Sequence, residues 1–363
     1  MRKSAYLILL SLFCVTYNSS VAQTDTVSTQ DDEEDYSIYD NLEFVDESAK
    51  RFASIKMTGK SPDKLISIGY DWQGAYDIKA AAFDVYPEEE ANVTLTQGTR
   101  FEANIPLISK NSIIIQAGLS YWDVNYDFKD ESALLNPLNQ RLAENGLNTL
   151  AFSTTVYKPL NENTFLLGQI SVGISGDYAL NELQSSKYNR YSAAFLWGKR
   201  PSDYKQWAIG MSRSYRGGEM DYWPVILYNW TSFNRKWGIE TLIPARGDVR
   251  YSFNPRRLLF FGFDFEGNSY RIGNDGLALD APYNDIEIRR SELRIRFKFE
   301  TQLSGFVWIS AKFGYRYNYL FNVDQVKDGN DFYRGFFGDQ EYAMENELTN
   351  PLFFNLSINL VSP

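Results

Sequence analysis

Charged side chains at alternate positions are where this chain could do chemistry. Between 284 and 299, Arg290, Glu292, Arg294, Arg296 and Lys298 stand on one parity. Asp264 and Glu266 do the same within 256–271, as do Asp248 and Arg250 within 246–253, Lys312 and Arg316 within 303–320, and Arg100 and Glu102 within 91–107; Glu240 is the one carboxylate of 235–243. Alternate residues of a strand share a face, so each group would present fixed charge to one side. Asp264 and Glu266 are the kind of carboxylate pair that hydrolyses glycosides or holds Ca²⁺. Arginines of the following segment, on the same parity, give the simpler account: ion pairs that satisfy charge and shape the field of an enclosed space.

Other chemistry is largely excluded. Histidine is absent, and the one cysteine, Cys14, lies in the N-terminal leader. Ser-His and Cys-His dyads, disulfides and most transition-metal sites are therefore ruled out in a chain that has lost that leader. No Walker A loop, dinucleotide fingerprint or Gly-X-Ser-X-Gly elbow occurs, so neither an enzyme nor a cofactor is expected. Arg246-Gly247-Asp248 spells an adhesion tripeptide at an expected external turn, and it is read as chance, as are the sequons at Asn92, Asn229 and Asn355.

The elements that must position the charges are long alternating strands. From Val307 to Tyr319 the odd positions are Val307, Ile309, Ala311, Phe313, Tyr315, Tyr317 and Tyr319; the even ones are Trp308, Ser310, Lys312, Gly314, Arg316 and Asn318. Apart from Trp308, one face is apolar and the other polar or small, as needed between lipid and a wet interior. By this parity Phe313→Arg should be costly and Ser310→Arg cheap. Val93 to Leu107 alternates in the same way, with Val93, Leu95, Phe101, Ala103, Ile105 and Leu107 on the apolar face.

Fourteen such segments are read, at 64–73, 91–107, 112–128, 147–158, 163–177, 186–199, 204–216, 220–231, 235–243, 246–253, 256–271, 284–299, 303–320 and 350–361. Short turns such as 109–111, 159–162 and 200–203 alternate with longer loops such as 74–90, 129–146 and 321–349. The fold expected is all-β: a transmembrane antiparallel up-and-down β-barrel of about 14 strands, with 12 as the alternative, short periplasmic turns and long extracellular loops. Tyr121, Trp122, Trp197, Trp207, Tyr222, Trp223, Trp230, Trp237 and Tyr315 to Tyr319 are expected to form interfacial girdles. Loop 129–146 carries Leu134, Leu135, Leu138 and Leu142 at helical spacing, and loop 321–349 carries Phe332, Tyr333, Phe336 and Phe337. Each either folds inward or packs on itself at the barrel mouth.

Residues 1–22 have a basic start (Arg2, Lys3), an apolar stretch and small residues at Ser20 and Ala22, the pattern of a cleavable secretory signal. Residues 23–63 follow as an acidic periplasmic tail or linker, and 64–363 as the barrel. The stretch 23–48 holds ten Asp or Glu and no Lys or Arg, and is expected to be mobile. The stretch 23–48 and the leader account for −8 of the net charge of −10, so the body is close to neutral and offers no basic face to a nucleic acid. The expected partners are outer-membrane lipid, the assembly machinery and a small solute.

The layout resembles outer-membrane β-barrel proteins of Gram-negative bacteria, in particular families of unknown function with a signal, a short tail and a barrel of this size. Leu242-Ile243-Pro244-Ala245-Arg246 and Phe263-Asp264-Phe265-Glu266-Gly267-Asn268-Ser269-Tyr270 carry the likeness. It implies the outer membrane after signal cleavage, and a last strand read by the assembly machinery. Such barrels end on an aromatic residue, whereas this chain ends Leu360-Val361-Ser362-Pro363. Two functions are open: a porin-like channel or transporter with a mixed-charge lumen, or a sealed structural or surface-interaction barrel.

Overall fold

A strand is the element that separates the two parities of each segment, since a helix would mix them. β-Branched and aromatic residues on the apolar parity add strand propensity. The computed structural model describes residues 53, 56–83, 85–178, 188–216, 219–272, 286–325 and 342–362. In chain order the strands are β1 (Lys64–Gln73), β2 (Tyr76–Ala80), β3 (Glu89–Lys110), β4 (Ile113–Phe128), β5 (Leu147–Pro159), β6 (Thr164–Gly176), β7 (Asn189–Ser202), β8 (Lys205–Arg216), β9 (Glu219–Thr231), β10 (Trp237–Ile243), β11 (Arg246–Asn254), β12 (Arg257–Ile272), β13 (Ile286–Ser304), β14 (Val307–Gln325), β15 (Glu347–Leu348) and β16 (Leu352–Val361).

All but β2 and β15 form one closed antiparallel wall of 14 strands, in which β1 completes the ring by pairing with both β3 and β16. Twelve strands are thereby excluded. Each of the fourteen segments corresponds to one barrel strand, and 64–73 coincides with β1. The small strands β2 and β15, inside segments read as loops, pair with each other and raise the wall above β3. The leader, the acidic stretch 23–48 and the aromatics of loop 321–349 from Phe332 to Phe337 lie outside the described residues.

Facing follows the expected parity over most of the wall. On β14, Phe313, Tyr315 and Tyr317 are exposed while Ser310 and Arg316 are buried. Among the described residues, every barrel strand except β4 exposes at least one large apolar side chain, from Ile68 on β1 to Leu356 on β16. A soluble monomer's apolar patch is roughly 300–600 Å²; a belt around the whole molecule is what a wall in hydrocarbon requires.

Departures from the expectation are local, and Trp223, read as a girdle residue, shares the inward parity of Val225 and Asn229 on β9. A bulge at Val93–Leu95 turns Val93 inward, where it is fully buried, so the apolar parity read from Val93 to Leu107 breaks at its start. Trp122 is an inner-wall residue and not part of a girdle, because it pairs with inward-facing Arg100. Trp308 faces inward as its parity requires and packs with Leu258, Phe260 and Val361. A second bulge leaves Tyr319 without a partner on β13, turning Phe321 and Val323 inward. The two bulges together line the loop end of the barrel with apolar side chains.

That apolar lining is covered by α1 (Pro137–Asn145), where Leu138 and Leu142 are buried against it while Leu135 is exposed. Asn136 caps the helix by accepting a hydrogen bond from the Leu138 amide at 3.0 Å, with proline at the first position. Gly146 ends it at φ +63°, and a Cβ there would meet the Val124 carbonyl oxygen at 2.3 Å. The Glu89 carboxylate accepts from the Leu135 and Asn136 amides and from Asn139 Nδ2 at 2.6, 3.1 and 2.7 Å, tying the loop to β3. At the turn end, residues before β1 are packed across successive turns and not free: the Ala53 amide donates to the Asn161 carbonyl, Thr58 to Asp203, and Ser362 to Asp63, each at 2.9 Å.

Candidate functional site

The inward faces of β10 to β14, together with β1 and β3, carry an ion-pair network in two clusters. Its lower part centres on Arg296, which reaches Asp248 at 2.7 Å and Asp264 at 2.5 Å. Lys312 donates to the same Asp264 at 3.1 Å. Lys298 lies 3.7 Å from Glu300 and 3.8 Å from Asp248, with its ammonium over the Phe260 ring. Glu300 also takes Lys64 at 2.9 Å and the Ser310 hydroxyl at 2.9 Å. Arg250 lies beside the network, donating to Glu240 at 2.8 Å, and Glu240 accepts from the Ser61 amide and hydroxyl. Gly238 makes room for it, since a Cβ there would meet Arg250 Nη2 at 2.3 Å.

The upper part centres on Glu292, which receives Arg294 at 2.5 Å and Arg290 at 2.8 Å, with Arg316 at 3.6 Å. Arg294 also faces Glu266 at 3.4 Å and Asp71 at 3.6 Å. Arg100 bonds Asp71 and reaches Glu266 at 2.7 Å. Because β1, β16, β14 and β13 stand between β3 and β12 in the ring, the Arg100–Glu266 pair crosses the interior. Arg100 lies 3.9 Å over the Trp122 ring, with Arg290 and Arg294 at 5.2 and 5.7 Å from it.

Thirteen of the fourteen charged residues singled out from the sequence enter these contacts; Glu102 is the exception, inward on β3 but exposed. Asp71, Lys64, Glu300 and Trp122 belong to the same network and were not singled out. Asp71 and Lys64 sit on a short strand whose charges do not repeat, and Trp122 looks like any interfacial aromatic. Glu300 continues the parity of Lys298, and extending that segment by one step would have included it. Arg246-Gly247-Asp248 is not an external turn: it begins β11, and Asp248 is buried under Arg296.

The opposite inner wall differs in kind. Phe165 and Leu196 are buried inside near the turn end, and two-residue steps along β6 and β7 place Gln169, Ser171, Ser192 and Ala194 on the inward face. Ser153 on β5 and Ser214 on β8 continue the row. Gln169 and Ser192 are exposed although they point inward, as are Glu102, Asn104 and Ser120 on β3 and β4. Small hydroxyl and amide side chains therefore stand against open space, facing a charged wall whose side chains are committed to one another.

The space narrows toward the loop end. β10 and β11 are short, so β12 has no β11 residue beside it beyond Asp264. Its free edge leans across the interior instead, and the Asp177 amide donates to the Arg271 carbonyl at 3.1 Å. Asn268 Nδ2 reaches Thr149 and Ser175 hydroxyls at 2.8 and 3.1 Å just below. Opposing walls thus touch beneath the α1 cap.

No protein-family model matches the chain, and no curated protein matches it. Among solved structures, an outer-membrane channel from Pseudomonas putida F1 covers 86% of this chain and 98% of its own at 11% identity, with a TM-score of 0.39. The toluene transporter TodX of P. putida covers 84% and 92% at 9% identity, TM-score 0.33. The outer-membrane protease OmpT of Escherichia coli covers 85% and 99% at 11% identity, TM-score 0.28. Likenesses this distant assign neither substrate nor activity, and these barrels differ among themselves in what they do.

Proposed function

We propose that this is an outer-membrane barrel through which small solutes pass, working as a gated channel and not as an open porin. The carrying observation is the exposed, hydroxyl-rich inner wall of β5 to β8: a barrel serving only as structure would have packed those faces, as β12 to β14 are packed. The charged wall fixes the field that a passing solute meets. The α1 cap and the Arg271–Gly176 contact form the gate. The exposed apolar belt favours the outer membrane of a Gram-negative bacterium, with short turns in the periplasm, lipid around the wall and insertion by the assembly machinery. The absence of histidine and the commitment of Asp264 to Arg296 and Lys312 argue against hydrolysis.

The sealed barrel draws on one specific observation, the ion pairs that span the interior. A planar-bilayer recording separates the two readings. Rare discrete steps from the wild-type protein, made frequent by Leu138→Ala with Leu142→Ala, are expected. Persistent silence of both proteins overturns the channel and leaves the sealed barrel.

A further inference from the structure

The lipid-facing side of β5 to β9 carries a groove of about 460 Å³. Phe165, Leu196 and Ala208 are buried inside, so by parity Gly168 and Ile170, Ala193 and Phe195, and Met211 stand outward on the same three strands. Gly168 pairs with Val156 on one side and Phe195 on the other, and Ala193 pairs with Ile170. With no side chain at the first position and a methyl at the second, Gly168 and Ala193 form a floor from which Ile170, Phe195 and Met211, all more than half exposed, rise as walls. The chain does not fill this hollow: a Cβ on Gly168 would meet only the Ala194 carbonyl oxygen, at 4.0 Å. One end of the groove is charged. Arg213 lines it, exposed and paired with Ala193 and with Tyr222 on β9, its guanidinium carbon 5.6 Å from the Tyr222 ring centroid. Among the described residues, Arg213 is the one charge on the outward faces of β6 to β9 apart from Lys199 and Lys205 near the turns. Trp207, Ile209 and Met211 precede it on the same face of β8, so it ends the apolar run on the loop side.

A charge on the lipid face is costly at mid-bilayer and nearly free close to the interface, where a long stem lets a guanidinium reach the headgroups. Tyr222 beside Arg213, and Tyr191 one step further along β7, are the amphipathic rings of that level. An apolar hollow ending at such a guanidinium matches both halves of an anionic lipid, with room for an acyl chain and a fork for a phosphate. We infer that this groove binds a phosphorylated glycolipid of the outer leaflet, one acyl chain lying over Gly168 and Ala193 and a phosphate monoester on Arg213. A monoester carries more charge and more terminal oxygens than the phosphodiester of a glycerophospholipid, so the fork favours it. The site rests on the outer-membrane reading above, in which the loop end faces outward, and not on the passage of solutes.

The test is native mass spectrometry of the purified full chain, released from detergent after incubation with lipid A or, separately, with phosphatidylglycerol. Each barrel should retain one lipid A, at least about threefold more tightly than phosphatidylglycerol. Arg213→Gln should weaken retention about tenfold, the worth of one charge-assisted hydrogen bond, and leave retention of dephosphorylated lipid A unchanged. Gly168→Leu, which fills the floor, should weaken retention of both forms by at least about fivefold. Both side chains face lipid, so both variants should shift on a gel after boiling as the wild type does. No lipid A retained by a barrel that still shifts overturns the site and leaves the outer-membrane reading standing. A wild-type chain without the shift rejects that reading and the site with it. Retention unchanged in either variant, or phosphatidylglycerol held as tightly, also overturns the site. Barrel dimers that exclude the lipid would assign the groove to a second copy instead.

Discussion

The Arg100 guanidinium on β3 meets the Glu266 carboxylate on β12 at 2.7 Å, across the interior of the barrel. The same guanidinium holds Asp71, whose side chain is 5% exposed, and lies on the Trp122 ring. Removing it strands a buried carboxylate, with Arg294 at 3.6 Å as its remaining cation. Arg100→Gln should therefore destabilise the barrel by about 3 kcal/mol, the lower end of what such an orphan costs. Urea unfolding of the detergent-solubilised protein measures it; a change under about 0.5 kcal/mol, the size of a neutral surface substitution, would show that the pair does not brace the wall.

Phe313 is 54% exposed on the outer face of β14. Phe313→Arg should cost roughly 2–4 kcal/mol near mid-bilayer. Ser310 points inward as its parity requires, yet it is no cheap control: it is fully buried and hydrogen-bonded to Glu300 and Asn359. Ser192→Arg is the proper comparison, with an expected cost within about 0.5 kcal/mol because the side chain enters open polar space. Equal costs at 313 and 192, read from unfolding in lipid vesicles, would refute the assignment of faces.

Arg294 and Arg296 are too deeply engaged to act as selectivity dials. Reversing both would set new carboxylates against Glu292, Glu266, Asp264 and Asp248, so Arg294→Glu with Arg296→Glu should lower the unfolding temperature steeply. Selectivity is better probed at Glu102, which faces the interior and is exposed. Glu102→Lys should leave stability unchanged and move the reversal potential of the bilayer current toward anions. A reversal potential that stays put would place the conducting path elsewhere.

The cap offers a separate handle. Leu138 and Leu142 are 0% and 1% exposed, and truncating a buried leucine removes about 2–5 kcal/mol. The cost falls on α1 and its seat, not on the barrel ladder. Leu138→Ala with Leu142→Ala should raise protease sensitivity within 129–146 while the barrel still shifts on a gel after boiling. Loss of that heat-dependent shift would mean that the cap is part of the barrel's own folding unit.

Much of this was legible because strand parity is a two-state code. Once Phe313 is outward, Arg316 must be inward, and the code carries through β11 to β13 and along β14 as far as Tyr319. It fails at Val93 and beyond Tyr319, where one extra residue flips the face and nothing in the residue types announces the bulge. The partners of each charge were legible only between neighbouring strands, as for Arg296 and Asp264. Pairs such as Arg100–Glu266 depend on ring closure, which sets distances that no local pattern holds. The open wall of β6 and β7 was missed for another reason: Gln169, Ser171 and Ser192 are unremarkable singly, and their meaning comes from the space in front of them.

That space is the core of the account, and thiol accessibility measures it directly. With Cys14 replaced by serine, Ser192→Cys and Ala193→Cys each give a chain with one cysteine, on opposite faces of β7. In sealed lipid vesicles a charged maleimide should label Ser192→Cys and leave Ala193→Cys untouched, while a lipid-soluble maleimide should label Ala193→Cys. Equal labelling by the charged reagent, or labelling of Ala193→Cys alone, would contradict a water-filled interior behind a lipid-facing wall.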